Sequence, residues 1–190
     1  MLIPPPAVLE KRLSDFAQKI TLMDFRFTNE FAPTKIDEIV GFLMGPRLWI
    51  PHGDYPDFLD WAQKVHVQLK SEAKRAIIAL EHGQVVGAAV YQRHRKDADA
   101  LELKNLTVRP DKRGRYLASF LVRNMEVEGA TEFGSRHVVC DAKTGNLGIR
   151  LFLERQRYRV IGRDDLYAKG GGTDLVFRKD LRFQAVGATL

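Results

Sequence analysis

Apolar and polar residues follow two different periods along the first third of the chain. After a proline-rich arm at residues 1–6, apolar residues recur every three or four positions over residues 7–20, which is the spacing of one helix face. Residues 21–30 then alternate between apolar and polar, which predicts a first strand. Helical spacing returns after Thr34, the expected N-cap, and again over residues 58–69. The first third is therefore predicted to contain a helix, a strand and two more helices.

From residue 72 onward the pattern changes to short β-rich runs separated by two helices. The expected elements are strands over residues 75–81, 85–93 and 101–108, a helix over 115–133, a strand over 137–142, a helix from Asn146, and a closing strand pair over 158–162 and 173–179. The residues expected to face inward on the longer helix are Leu117, Phe120, Leu121 and Val127. This order predicts one α/β domain with a mixed sheet.

Length and composition favour one globular domain without a disulfide or a metal. With 190 residues the chain can bury an adequate core by itself. We expect an arm and helix at residues 1–20, one domain at 21–182 and a tail at 183–190. Cys140 is the single cysteine, so an internal disulfide is excluded, and the five histidines show no metal-ligand spacing. Cys140 lies in an apolar strand and is interpreted as a core residue rather than a nucleophile.

The chain is basic and lacks membrane signals. Thirty Lys and Arg against 24 Asp and Glu give a formal charge of +6, which suits an anionic ligand such as a phosphorylated cofactor or a nucleic acid. No apolar run approaches the roughly 20 residues of a membrane span, and the N-terminus has no secretory pattern. These features predict a cytoplasmic protein with no membrane partner.

The most informative stretch is the junction between the strand ending before Pro110 and the helix that follows. A basic loop containing Gly114 connects the two elements. This order directs unpaired backbone N–H groups and the positive end of a helix dipole at one point, a favourable place for a phosphate. The Walker pattern and the dinucleotide GxGxxG pattern are both absent.

At this point the sequence resembles the GNAT superfamily of acyl-CoA-dependent N-acyltransferases. That family carries an R/Q-x-x-G-x-G/A loop after a strand ending in V-x-P, and here residues 113–118 read Arg-Gly-Arg-Tyr-Leu-Ala after 106-LTVRP-110. The middle glycine of the family loop is replaced by Tyr116. A later family motif, N-x-x-A-I-x-F-Y-E-K-x-G-F, aligns with residues 146–158. There Leu153 replaces the tyrosine that often protonates the leaving CoA thiolate, and Arg157 replaces the glycine.

The resemblance implies a mixed, mostly antiparallel central sheet flanked by helices, and acetyl-CoA as cosubstrate. It implies cofactor-binding roles for Leu106, Thr107, Val108, Arg113, Gly114, Arg115, Tyr116, Leu117, Ala118 and Asn146. It also implies that Glu102 is the catalytic base. Strand alternation predicts that Glu102 shares one side of its strand with Lys104, Leu106 and Val108, with Leu101 and Leu103 on the buried side. Apolar walls around a carboxylate there would raise its pKa toward neutrality.

The expected reaction is direct transfer of an acetyl group to a primary amine, carried by a small molecule or a protein. Two alternatives stay open. One is an acetyltransferase toxin acting on aminoacyl-tRNA, which the positive charge allows, and the other is a non-catalytic acyl-CoA-binding sensor, which the missing tyrosine and glycine allow. The acceptor is not identified by any motif, no metal is expected, and a homodimer is one of the oligomeric states left open.

Overall fold

The computed structural model describes residues 25–45, 58–164, 166 and 173–181. Within these residues the strands are β1 (Phe25–Thr28), β2 (Arg75–Glu81), β3 (Gln84–Arg93), β4 (Ala100–Val108), β5 (His137–Lys143), β6 (Arg159–Asp164) and β7 (Asp174–Asp180). The α-helices are α1 (Pro33–Met44), α2 (Phe58–Lys70), α3 (Leu117–Thr131) and α4 (Leu147–Arg155), and a 3-10 turn covers Pro110–Lys112. The predicted order of strands and helices is confirmed over this part of the chain.

The seven strands form one sheet in the order β1-β2-β3-β4-β5-β7-β6. Neighbouring strands are antiparallel, with the exception of β4 and β5, which run parallel. A parallel pair needs a crossover connection, and α3 supplies it. The fold is therefore the expected α/β architecture with a mixed, mostly antiparallel sheet.

Each face of the sheet carries its own apolar core. On one face α3 and α4 pack through residues such as Leu121, Met125 and Leu153. On the other face α1 and α2 pack through Ile39 and Val65 against alanine, valine and isoleucine side chains of β2 and β3. The sheet is thus the middle layer of three, and the side chains of each strand are divided between two different environments.

Helix α3 approaches the sheet closely because small residues lie in the contact. A Cβ atom added at Gly129 would lie 2.8 Å from Leu101 Cδ2, and one at Gly87 would lie 3.1 Å from Leu121 Cδ1. The absence of side chains at these two glycines allows the helix to rest directly on β3 and β4. The N-terminus of α3 is thereby held beside the end of β4.

Three details of the predicted helices are wrong. Helix α1 begins at Pro33 with Ala32 as its N-cap, so Thr34 is not the cap, because a proline is readily accommodated at the first helical position. Helix α3 begins at Leu117 rather than at residue 115. Phe120 and Val127 are exposed, because the buried face of α3 differs in part from the face predicted. It includes Val122, Met125 and two glutamates, which the apolar pattern did not indicate.

The arm and helix predicted at residues 1–20 and the tail at 183–190 lie outside the described residues. None of the described helices is long and apolar enough to cross a membrane.

Candidate active site

The sheet opens between β4 and β5. The two strands pair only from Ala100 with His137 to Glu102 with Val139. Beyond that point β5 keeps its pairing with β7 as far as Lys143, whereas β4 continues to Val108 without a partner on this side. The opening leaves the edge of β4 available to hydrogen-bond an extended ligand. Glu102 lies in the last pair, at the closed end of the opening.

A bulge in β4 determines which of its side chains face the helices α3 and α4. Tyr91 of β3 pairs with Leu103, but the preceding residue, Val90, pairs with Asn105, so Lys104 is an extra residue in β4. The extra residue reverses the alternation along the rest of the strand. Leu106 and Val108 therefore pack in the α3 and α4 core together with Leu101 and Leu103. The predicted grouping of Glu102 and Lys104 with Leu106 and Val108 is wrong for this reason.

The Glu102 carboxylate is held by two side chains. Lys104 Nζ donates to Glu102 Oε1 at 2.9 Å, and Gln92 Nε2 donates to Glu102 Oε2 at 2.7 Å. Burial alone would raise the pKa of Glu102, but the hydrogen bonds and the Lys104 charge outweigh it, so the pKa is lowered from its ordinary value. The expectation of a raised pKa is wrong, because strand pairing and the bulge bring polar partners rather than apolar walls.

A second titratable group lies beside this pair. Lys74 immediately precedes β2 and is only 5% exposed, with its Nζ 5.7 Å from the centre of the Trp61 ring. Burial, followed by the like charge of Lys104, lowers its pKa to about 8, against the opposing attraction of Glu102. The sequence pattern did not single out Lys74 or Gln92. Lys104, two residues after Glu102, was the one partner that spacing could have indicated.

The loop between β4 and α3 presents its backbone outward. Gly114 has φ +76° and Tyr116 has φ +61°, so the chain turns twice through the left-handed region before α3 begins. Tyr116 is the N-cap residue of α3 and makes no side-chain cap. Within the described part of the chain, the N–H groups of residues 114–119 donate to no acceptor. They are the donors that an anion would use.

The side chains of the loop differ in their availability. Arg109 donates to Glu81 and Asp111, and Lys112 donates to Glu81 at 2.6 Å, so these two cations are neutralised by neighbouring carboxylates. Arg113 Nε donates to the carbonyl of Val108 at 3.1 Å and closes the end of the strand. Arg115 is exposed and forms no ion pair with a described residue. The backbone N–H groups of the loop and the Arg115 side chain are therefore better candidates than Lys112 for contact with an anion.

The second motif lies in α4 and beside it. Asn146 caps the helix, since its Oδ1 accepts from the N–H of Ile149 at 3.3 Å. Leu153 is fully buried in the core and has no proton to donate. Cys140 is also buried, as expected of a core residue, and burial raises the pKa of its thiol.

The described His, Cys, Asp and Glu residues form no group of three that could hold a metal ion. The structure thus places the predicted residues along one line. Glu102 lies at the closed end of the opening, residues 106–108 along its edge, and residues 113–118 with the α3 N-terminus at its mouth.

Comparisons with known proteins agree with this geometry. The sequence profile of the acetyltransferase (GNAT) family matches residues 46–157, and no curated protein sequence matches. Among solved structures, a protein from Desulfovibrio desulfuricans described as a GNAT-family acetyltransferase superposes with a TM-score of 0.70 at 16% identity, covering 83% of this chain and 99% of that one. An aminoglycoside 6'-N-acetyltransferase complexed with coenzyme A gives a TM-score of 0.65 at 15% identity, covering 84% and 98%.

The Ard1 protein from Thermoplasma volcanium is also similar, with a TM-score of 0.63 at 13% identity over 84% of this chain and 99% of that one. Because these sequence identities are low, the structural matches support the fold alone. The family assignment rests on the sequence profile, which matches more than half of the chain. The chain belongs to the acetyltransferase (GNAT) family. It is an acetyltransferase, and acetyl-CoA is the acetyl donor of that family.

Proposed function

We propose that this protein transfers an acetyl group from acetyl-CoA to a primary amine that attacks directly. The observation that carries the proposal is the alignment of the open β4 edge with the unpaired N–H groups of residues 114–119. About 20 Å of strand separates Glu102 from Val108. An extended cosubstrate held by its phosphates at the loop would therefore bring its far end toward Glu102.

The residues fit the cosubstrate at both ends. The N–H groups of Gly114 to Ala118, the α3 dipole and Arg115 would hold the pyrophosphate, as would Arg113 once released from the strand end. The backbone of Leu106, Thr107 and Val108 would bind the pantetheine arm, and Asn146 would flank it. Acetyl-CoA supplies the activated thioester carbonyl at which the amine reacts.

Glu102 is proposed as the base. Glu102 is ionised at neutral pH, so it can accept the ammonium proton of the acceptor directly or through water, and its lowered pKa limits its strength as a base. Lys104 and Gln92 fix the carboxylate in position. Leu153 cannot protonate the leaving thiolate, so that proton would come from water.

The substitution Glu102→Gln tests this role because it keeps the hydrogen-bonding shape and removes basicity. Turnover should fall by about 10²–10⁴-fold, while CoA affinity, measured by calorimetry, stays nearly unchanged. Turnover should recover in part at high pH, where the amine loses its proton unaided. Glu132→Gln, at the far end of α3, is the matched control. A loss of less than about threefold across roughly pH 6–9 would make Glu102 a structural residue.

Mass spectrometry of any copurified ligand is the first step in identifying the acceptor. The release of free CoA thiol from acetyl-CoA is then measured with amines, peptides and charged tRNA as candidate acceptors. CoA binding without turnover on any acceptor would favour an acyl-CoA-binding role. Failure to bind CoA at low salt would overturn the proposal.

A further inference from the structure

A cavity of about 500 Å³ lies on the α3 and α4 side of the molecule, between the two helices and the ends of β6 and β7. Its cationic lining consists of Arg123, Arg155, Arg157, Arg159, Arg178 and Lys179. The volume is within the range of small-molecule sites. The family resemblance assigned no role to any of these cationic side chains.

Both carboxylates of the lining are already neutralised. Glu126 is fully buried and accepts from Lys179 Nζ at 2.7 and 2.8 Å and from the Tyr158 hydroxyl at 3.0 Å. Asp180 accepts from Arg178 at 2.9 Å. Neither acid is therefore left to balance the remaining arginines.

Three exposed arginines carry the excess charge. Arg155, Arg157 and Arg159 form no ion pair with any residue in the described ranges. They project from the end of α4, the following turn and the start of β6. A guanidinium presents forked donors that match the oxygens of a phosphate group. Several such groups around one cavity suit a ligand that carries more than one negative charge.

The cavity is separate from the loop proposed to bind CoA. None of its lining residues belongs to the segment 106–118. On β7 the lining begins at Arg178, which pairs with Val139 of β5, and Val139 is in the last pair before the sheet opens. The side chain of Gln156, one of the lining residues, donates to Ser119 Oγ at 3.1 Å, so the wall of the cavity contacts the first turn of α3 at this point.

The composition of the cavity lining indicates which chemical class of ligand it suits. It contains no aromatic ring, and Leu181 is its one apolar side chain. A nucleobase would find no stacking surface there, whereas phosphates would find several charged donors. We propose that this cavity is a second phosphate-binding site, for a ligand with closely spaced phosphates, which either the backbone of an RNA or a soluble polyphosphate could provide.

The test uses the full chain saturated with CoA, so that the first site is occupied. Binding of tripolyphosphate is measured by calorimetry, and binding of a fluorescently labelled 20-nucleotide RNA by anisotropy, both at low salt. The double variant Arg155→Gln with Arg159→Gln should weaken binding at least tenfold. It should also reduce the salt dependence of RNA binding, by about 0.7 in the log–log slope for each lost phosphate contact.

The matched control is Arg95→Gln with Lys96→Gln, which removes the same charge from an exposed turn before β4. The control should weaken binding less than twofold. Tight binding of RNA with weak binding of tripolyphosphate identifies a nucleic-acid site, and the reverse identifies a small-ligand site. The proposal is overturned if neither probe binds, if CoA competes with the probe, or if the control weakens binding equally. These results do not depend on acetyl transfer.

Discussion

Tyr116 shows at the scale of one residue how this chain departs from its family's pattern. The position requires φ +61°, a conformation that costs a residue with a Cβ about 1–2 kcal/mol and glycine very little. The family has glycine at this position, which the geometry explains. The ring is 55% exposed and so contributes little burial in compensation.

Replacing Tyr116 with glycine should therefore raise the free energy of unfolding, by about 0.5–1 kcal/mol after allowing for the entropy of glycine. Urea denaturation measures the change. Tyr116→Ala keeps the strain and should give no gain. Equal effects of the two substitutions would show that the backbone conformation is not the cause. The loop N–H groups are retained, so CoA affinity should be unchanged or improved.

Lys74 makes a second prediction at this scale. Its folded pKa of about 8 lies below the ordinary value near 10.4, so the unfolded chain binds more protons between these pH values. The free energy of unfolding contributed by this group therefore rises with pH from about 8 to about 10.4, and its cost is greatest below pH 8.

The substitution Lys74→Met should stabilise the protein at pH 7, by up to about 3 kcal/mol, and the gain should shrink toward pH 10. Denaturation at several pH values tests this dependence. Lys70→Met, at the exposed end of α2, should show no such trend. A gain that stays constant with pH would mean that packing, and not the charge of Lys74, is responsible.

At the scale of elements, α3 is held by charge as well as by apolar contact. Glu126 joins the helix to Lys179 of β7 and to Tyr158 before β6, and Glu128 accepts from Arg75 of β2 and from Asn29. Both carboxylates are buried. The helix is thus fixed to strands on both sides of β4.

Removing Lys179 takes away both short hydrogen bonds of Lys179 to the buried Glu126 carboxylate and leaves it Arg123, whose Nη1 lies 3.6 Å away, so the loss should be about 3–5 kcal/mol. The variant Lys179→Met tests this loss by urea denaturation. Adding Glu126→Leu removes the buried carboxylate that has lost its closest cation and should restore most of the stability. If the two changes simply add, the two groups are not coupled in the way that the contact indicates.

At the scale of the whole molecule, the single parallel pair creates the site. All other neighbouring strands are paired antiparallel. Among the described strands, β4 and β5 are the one neighbouring pair that separates after three residue pairs. Helix α3 crosses over this pair, so its N-terminus is delivered to the mouth of the opening. A ligand bound there would contact elements from both halves of the sheet.

CoA should therefore stabilise the whole fold. At a concentration 100 times its dissociation constant it should add about 2.7 kcal/mol, a rise in melting temperature of roughly 5–10 °C for a chain of this length. Arg113→Ala should weaken CoA binding by about 1.5–3 kcal/mol and reduce the rise at fixed CoA. Arg136→Ala, at an exposed position near the start of β5, should not. No rise at low salt in the unmodified protein would contradict the assignment of the loop.

Much of this architecture follows from the sequence, because hydrophobic period and turn residues act locally. The β-rich runs of β2 and β3, the stop at Pro110 and the Asn146 cap depend on neighbouring residues alone, and each is found where it was expected. An anion-binding loop after Pro110 was predicted for the same reason, since a strand, a glycine and a helix follow one another, whereas its bounds at residues 113–118 came from the resemblance to the family.

Only the tertiary structure decided what surrounds Glu102. The extra residue at Lys104 depends on pairing with β3, and it reverses the side chains that follow. Gln92 lies on β3 and donates to Glu102 across the strand pair, so the spacing within β4 could indicate Lys104 but not this second partner that lowers the pKa of Glu102. The sequence of a single strand indicates which of its side chains point to opposite faces of the sheet. The register between strands is set by the packing of segments that are distant in the sequence, and it determines which side chains of neighbouring strands come into contact.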